Sequence, residues 1–121
     1  MPQAIDRLIR DAVIEFFTGT EDADSVQRQL NLIAGCELHH TGVGFVCDFS
    51  VDGSAPQVLG GATKCLGGLE GLLCPNAVTC GFELWVDAGR ITCLEAFTYS
   101  DPWPDSITSC SFSRTLNHGF G

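Results

Sequence analysis

The fold is decided by residues 77–99, which read AVTCGFELWVDAGRITCLEAFTY. Apolar side chains alternate with other residues on both sides of Ala88 and Gly89, and this period of two is typical of strands. The dipeptide between the two runs suits a tight turn. The stretch therefore predicts an antiparallel hairpin with strands over 77–86 and 90–99.

Burial decides the register that this hairpin is predicted to adopt. A two-residue loop gathers nearly every large apolar side chain on one face, whereas a three-residue loop would set Arg90 and Thr92 among them. We therefore predict the two-residue register, which pairs Val86 with Ile91, Leu84 with Cys93, Phe82 with Glu95 and Cys80 with Phe97.

Hydrophobic periodicity assigns the other elements. Apolar residues recur at helical spacing over 3–18, and a second, shorter helix is predicted to begin near Asp24 or Ser25. The predicted strands outside the hairpin are 36–40, 44–51, 62–66 and 107–116, with a loop over 52–61 and no regular element from 66 up to Asn76.

Two helices followed by about six strands predict an α+β domain, in which the helices pack on a curved antiparallel sheet. The 121 residues make one domain, and 45% apolar with 17% charged residues excludes disorder and coiled coil. No apolar run reaches the ~18 residues of a membrane span. The N-terminus lacks the basic start and apolar stretch of a secretory signal, so we expect a cytoplasmic protein.

The charge balance narrows the class of partner. Six Lys and Arg stand against 15 Asp and Glu, for a net charge of −9. Because the basic residues are scattered, we expect neither nucleic acid nor an anionic membrane surface as a partner. The acidic residues concentrated in the first 24 positions are either a solvated helix face or a patch that meets a basic partner.

The seven cysteines argue against a disulfide framework, because the count is odd and no secretory signal precedes them. No Cys-x-x-Cys pair occurs, which removes the usual zinc-ribbon and thioredoxin signatures. We expect seven reduced thiols, mostly packed as small apolar residues, with no metal and no cofactor. A ligand or nucleophile role is the alternative.

Glu95 is the leading catalytic candidate. The predicted register sets it alone on an apolar face, where lost solvation would raise its pKa and make it a general acid. The alternative is a satisfied polar residue that accepts a hydrogen bond from Tyr99, Arg114 or a backbone N–H. His39 and His40 are adjacent in a strand and point to opposite faces, so they cannot share one metal.

The segment DPWPD at 101–105 supplies the candidate binding residues. Pro102 and Pro104 fix two φ angles and hold Trp103 stiffly. Such a tryptophan either plugs the end of the core or anchors a partner. The residues predicted to bind are Trp103, Asp101 and Trp85.

Two stretches resemble a group of small bacterial proteins. They are TGVGF at 41–45 followed by CDF at 47–49, and GFELWVDAGR at 81–90 continuing through LEAFTYSDPWP at 94–104. These resemble proteins with a "TGVGF" strand and a "GF-L-V-DG" hairpin ending in "LE-yTY-d-WP", found on mobile (integron-type) gene cassettes or beside toxin genes. The resemblance implies a stand-alone α+β domain and carries over no catalytic residue.

Two functions follow from these observations. The first is a small, acidic, non-enzymatic binding or immunity-type protein, whose partner is a protein (a second copy of the chain included) or a small apolar ligand. The alternative is a small enzyme of cystatin-like fold, in which Glu95 with Tyr99 or His40 transfers protons in a pocket between sheet and helix.

Overall fold

A computed structural model describes residues 3–114 of the chain. In this range two α-helices come first and six strands follow, so the predicted α+β class is confirmed. The elements are α1 Gln3–Phe17, α2 Ala23–Asn31, β1 Ile33–His40, β2 Gly44–Val51, a 3-10 turn Leu59–Gly61, β3 Lys64–Cys74, β4 Val78–Asp87, β5 Arg90–Thr98 and β6 Ser109–Arg114.

Helix α1 lies on the sheet through the apolar stripe that its sequence predicts. It ends at Phe17, one residue before the predicted end, and Gly19 just beyond takes a φ of 83°. The buried residues of the stripe are Leu8, Ile9, Ala12, Val13, Phe16 and Phe17.

Helix α2 begins one residue before Asp24 and buries Val26 and Leu30, as predicted. Between them Gln29 is completely buried. Its Nε2 donates to the carbonyls of Pro56 (2.8 Å) and Gly89 (2.7 Å). This amide ties α2 to the loop after β2 and to the hairpin turn.

The six strands form one open antiparallel sheet in the order β1-β2-β5-β4-β3-β6. Helix α1 packs across β3, β4 and β6, and α2 packs on β5. The core lies between the helices and this face of the sheet. Its largest fully buried side chains from the strands are Phe45, Phe82, Leu73, Leu84, Ile91 and Leu94.

Strand β3 corrects the prediction of a short strand over 62–66. It runs for 11 residues, with a register shift between Leu66 and Leu69, and pairs with both β4 and β6. Glycine is usually unfavourable within a strand, but two glycines of β3 are required by its backbone geometry and packing. Gly68 takes a φ of 80° at the irregularity. A Cβ at Gly71 would stand 2.5 Å from the Cys110 Sγ, so close packing requires glycine there.

The hairpin register is correct at the turn and wrong beyond it. Val86 pairs with Ile91 as predicted, but Trp85 then pairs with Cys93, so Thr92 is an extra residue on β5. This β-bulge moves every later residue of β5 to the other face of the sheet. The shifted pairs are Leu84 with Leu94, Glu83 with Glu95, Phe82 with Ala96 and Gly81 with Phe97.

The bulge has a simple physical cause. It buries Leu94 and Ala96, whereas the predicted register would have buried the carboxylate of Glu95. The predicted placement of Glu95 among core side chains is therefore wrong, and the residue lies half-buried on the face opposite the helices.

Strand β2 has the predicted bounds, and β1 and β6 follow their predictions with shifted ends. Strand β1 starts at Ile33, three residues before the predicted start. In β6, Cys110 and Phe112 pack against the core as predicted. Of the predicted strand 107–116, positions 115 and 116 lie outside the described residues.

Candidate binding surface

The sheet has a second face, and in residues 3–114 neither α-helix packs on it. Residues paired across antiparallel strands point to the same side, so the register defines this face. We call it the outer face. Its charged, aromatic and thiol side chains are Glu37, His39, Asp48, Cys65, Glu70, Glu83, Trp85, Asp87, Arg90, Cys93, Glu95 and Phe97, with Tyr99 just beyond β5, and its other side chains are Val46, Ser50, Leu72, Thr79, Ser111 and Ser113.

Carboxylates dominate the outer face. Of the six Lys and Arg side chains in the described range, the register places only Arg90 on this face, at the turn end of the hairpin, where it pairs with Asp87 and donates to the Gly53 carbonyl. The others are on helices (Arg7, Arg10, Arg28) or pair with residues of the helix side (Lys64, Arg114). His39 also lies on this face, and its Nε2 is 3.6 Å from the Glu37 Oε1 and 3.7 Å from the Asp48 Oδ2.

Two of the carboxylates face each other directly. Glu83 on β4 is the register partner of Glu95 on β5. Like charges in this position repel and destabilise a sheet. Stabilisation of the fold therefore does not explain why these two carboxylates are paired.

Burial and the carboxylates of the outer face raise the pKa values of two of its cysteines. Burial raises the pKa of Cys93 to about 11, with Asp48 and then Glu95 adding to it. Burial, followed by Glu83 and Glu95, raises the pKa of Cys65. Both thiolates are therefore disfavoured beside these carboxylates.

Aromatic rings form a shallow groove beside the carboxylates. The rings of Phe97 and Tyr99 stand edge to face, with centroids 5.9 Å apart, above Gly81, where a Cβ would come within 2.8 Å of Phe97. The Tyr99 hydroxyl donates to the Glu70 Oε2 at 2.9 Å. The groove has a volume of about 160 Å³ and also borders Glu83.

The three catalytic candidates do not meet. Glu95 and Tyr99 share the outer face, but the Tyr99 hydroxyl bonds to Glu70. His40 pairs with Phe45, which places it on the helix side of the edge strand. The pocket between sheet and helix that the enzyme hypothesis needs thus lies on the side opposite Glu95.

A cavity does occur on the helix side. It has a volume of about 470 Å³ and lies between α1 and the segment leading into β6. Arg7 and Asp11 border it, with N and O atoms 3.8 Å apart. The apolar lining comes from Leu8, Ile107 and Cys110.

Trp103 lies at the end of the core. Its ring stands edge to face on Phe45, with centroids 5.5 Å apart, and its backbone N–H donates to the Gly42 carbonyl. Asp101 is exposed, and its carbonyl accepts from Thr98. These contacts are those that the core-plug interpretation requires. Of the two tryptophans, Trp85 is the one on the outer face, with 37% of its surface exposed.

Sequence reasoning missed most of the outer face. Trp85, Tyr99 and Glu95 were predicted as site residues and His39 was considered as a metal ligand, but Glu70 and Phe97 were not assigned to a site. Polar residues at alternate positions of β2 and β4 were the available signal. The matching positions of β5 become visible only when the bulge is known.

Within residues 3–114, no group of three or more His, Cys, Asp and Glu side chains is arranged to hold a metal. No helix in this range is long and apolar enough to cross a membrane. Comparisons with protein families, curated proteins and solved structures give no match for the chain.

Proposed function

We propose that the chain is a non-enzymatic binding protein whose outer face docks a basic segment of a protein partner. The observation that carries the proposal is the composition of this face in the described residues: the carboxylates of Glu37, Asp48, Glu70, Glu83 and Glu95 have no Lys or Arg as a register partner, and they lie beside the exposed rings of Trp85 and Tyr99. A basic segment supplies the charge that the surface lacks. An immunity-type role, in which the chain binds and blocks a second protein, fits such a surface.

Charge and aromatic contacts would contribute to binding in different ways. Exposed carboxylates speed encounter and select basic partners, but solvent and salt weaken their contribution to affinity. The holding energy would come from Trp85, Phe97 and Tyr99, which offer apolar area together with ring faces for Lys or Arg side chains.

The repulsion between Glu83 and Glu95 supports the same proposal. An unrelieved pair of like charges costs stability in the free protein. A Lys or Arg placed between the two carboxylates would turn the repulsion into two attractive contacts.

The test is titration of the protein with an oligolysine peptide, followed by calorimetry at low and at physiological salt. We expect the Glu83→Gln/Glu95→Gln variant to bind about tenfold more weakly, a loss of ~1.4 kcal/mol. Trp85→Ala should cost at least ~2 kcal/mol, as aromatic hot spots do.

The matched control removes two charges elsewhere. Glu21→Gln/Asp105→Asn has the same net charge as the first variant, but both positions are exposed and lie off the outer face. Its affinity should stay within about twofold of the wild type because distant exposed charges are screened. Equal losses in the two double variants would mean that net charge alone attracts the peptide, and the proposal would fail.

A further inference from the structure

Two cysteines at the edge of the sheet lie very close together. The Sγ of Cys36 on β1 is 2.8 Å from the Sγ of Cys47 on β2. A disulfide bond is about 2.05 Å long, so the two sulfurs need to approach by less than about 1 Å to form one. Both are thiols in the structure.

The strand register makes this the one pair on adjacent strands whose sulfurs meet in the described residues. Cys36 pairs with Phe49 and Cys47 with Leu38, so the two cysteines are diagonal neighbours on one face. Such neighbours lie about 7–8 Å apart between Cα atoms, just above the usual disulfide range, so closing the bond needs a small movement of the edge strand. The thiols of Cys80 and Cys110 also meet, but β3 runs between their strands. Two strand spacings amount to about 9.5 Å, beyond the ~7 Å that a disulfide can span between Cα atoms.

Cys65 and Cys93 are separated in the same way. Each pairs with Trp85, from opposite sides of β4. They are therefore also two strand spacings apart and cannot form a disulfide without backbone movement.

Accessibility divides the close pair into an attacking and a resolving thiol. Cys36 is exposed on the edge strand, whereas Cys47 is completely buried. Burial, and then the hydrogen bond with Cys36, raise the pKa of Cys47, so its thiol stays protonated. An external oxidant therefore reaches Cys36 first.

We propose that Cys36 and Cys47 form a reversible disulfide by exchange with a low-molecular-weight disulfide such as oxidised glutathione. The Cys36 thiolate attacks one sulfur of the small disulfide, forms a mixed disulfide and releases one small thiolate. The Cys47 sulfur, losing its proton, then attacks the Cys36 sulfur and releases the second. The two protein thiols are oxidised, and the two released thiolates take up their protons.

This site is independent of the proposed binding function, because both sulfurs lie on the helix side of the sheet. The product links β1, an edge strand, covalently to β2. The other five thiols keep the reduced state that the sequence predicts.

The sequence makes the site easy to test by mass spectrometry. Trypsin releases residues 29–64, a peptide that contains Cys36, Cys47 and no other cysteine. The folded protein is incubated with oxidised glutathione, unfolded, alkylated with iodoacetamide and digested without reduction. We expect this peptide to be two hydrogens lighter and to carry no alkyl group. Cleavage after Glu37 should leave its two halves joined until a reductant is added.

The controls separate pairing from general oxidation. Cys36→Ser replaces an exposed side chain, so the fold should persist, and its Cys47 should remain alkylated. Cys74→Ser, which removes a thiol outside the pair, should oxidise like the wild type. The proposal is overturned if the wild-type peptide takes up two alkyl groups, stops at glutathione on Cys36, or links to another peptide.

Discussion

Gln29 joins three parts of the molecule through one amide. Besides its two carbonyl partners, its Oε1 accepts from the backbone N–H of Ile91 at 2.9 Å. The Gly89 carbonyl has a second donor in the Val58 N–H, so removal of the amide leaves chiefly the Ile91 N–H and the Pro56 carbonyl without a partner.

The first prediction concerns this amide. Gln29→Leu should lower the free energy of unfolding by roughly 3 kcal/mol, because each orphaned buried group costs about 1–3 kcal/mol. Gln27→Leu, on the exposed side of α2, should change it by less than ~0.5 kcal/mol. Urea denaturation of the two variants makes the comparison, and equal stabilities would show that the buried amide contributes nothing.

The second prediction is the ionisation of Tyr99, the sole tyrosine of the chain. Burial, and then the hydrogen bond to Glu70, raise its pKa from 10.0 to about 12. Between these values the folded state keeps a proton that the unfolded state has released. This contribution to stability is complete below pH 10 and is lost as the pH rises through 12.

Tyrosinate absorbance measures this titration without ambiguity. The folded wild type should titrate near pH 12, and Glu70→Gln should move the midpoint towards 10 because the hydrogen bond to the carboxylate is lost. A wild-type midpoint near 10 would contradict the bonded arrangement of the groove.

Hydrophobic periodicity was sufficient to predict those helices and strands that have one side facing the core. Helix α1, β2 and the start of the hairpin were predicted because apolar residues recur there at a single period. Strand β3 was predicted only as a short strand over 62–66, and its remainder up to Cys74 was missed because its glycines carry no periodic signal, although Gly71 is required by the packing of Cys110.

The bulge explains why the candidate site was predicted only in part. A bulge adds one residue to one strand, and no residue type marks Thr92 as that addition. Everything C-terminal to it was therefore assigned to the wrong face, including Glu95 and Phe97. The outer face could be recognised only once the pairing of β4 and β5 was known.

The third prediction distinguishes the two tryptophans. Trp103→Ala should lower the free energy of unfolding by about 2 kcal/mol, less than the ~3–5 kcal/mol of a fully buried aromatic, because the ring is half-buried against Phe45. Trp85→Ala should leave stability nearly unchanged and weaken oligolysine binding. If Trp103→Ala instead spared stability and weakened binding, Trp103 would be the partner anchor.

For the whole molecule, the uneven placement of charge has a consequence for stability. The chain carries a net charge of −9, and in the described residues the register places six carboxylates on the outer face against one basic side chain, Arg90 at the hairpin turn. Repulsion among these carboxylates opposes the folding of the free protein, and under the proposed function a basic segment would relieve it. Binding and stability should therefore respond to the same substitutions with opposite signs.

The fourth prediction is this opposition. Glu83→Gln/Glu95→Gln keeps the shape of both side chains, removes the repulsion across β4 and β5, and should raise the free energy of unfolding by roughly 0.2–1 kcal/mol. Added salt should stabilise the wild type more than the variant, because screening weakens a repulsion that the variant lacks. Glu21→Gln/Asp105→Asn should leave the free energy of unfolding and its salt dependence close to those of the wild type. Thermal denaturation at several salt concentrations measures the stability of all three proteins. If the outer-face variant is less stable than the wild type, these carboxylates hold the sheet together. The reason to assign them to a partner would then be removed.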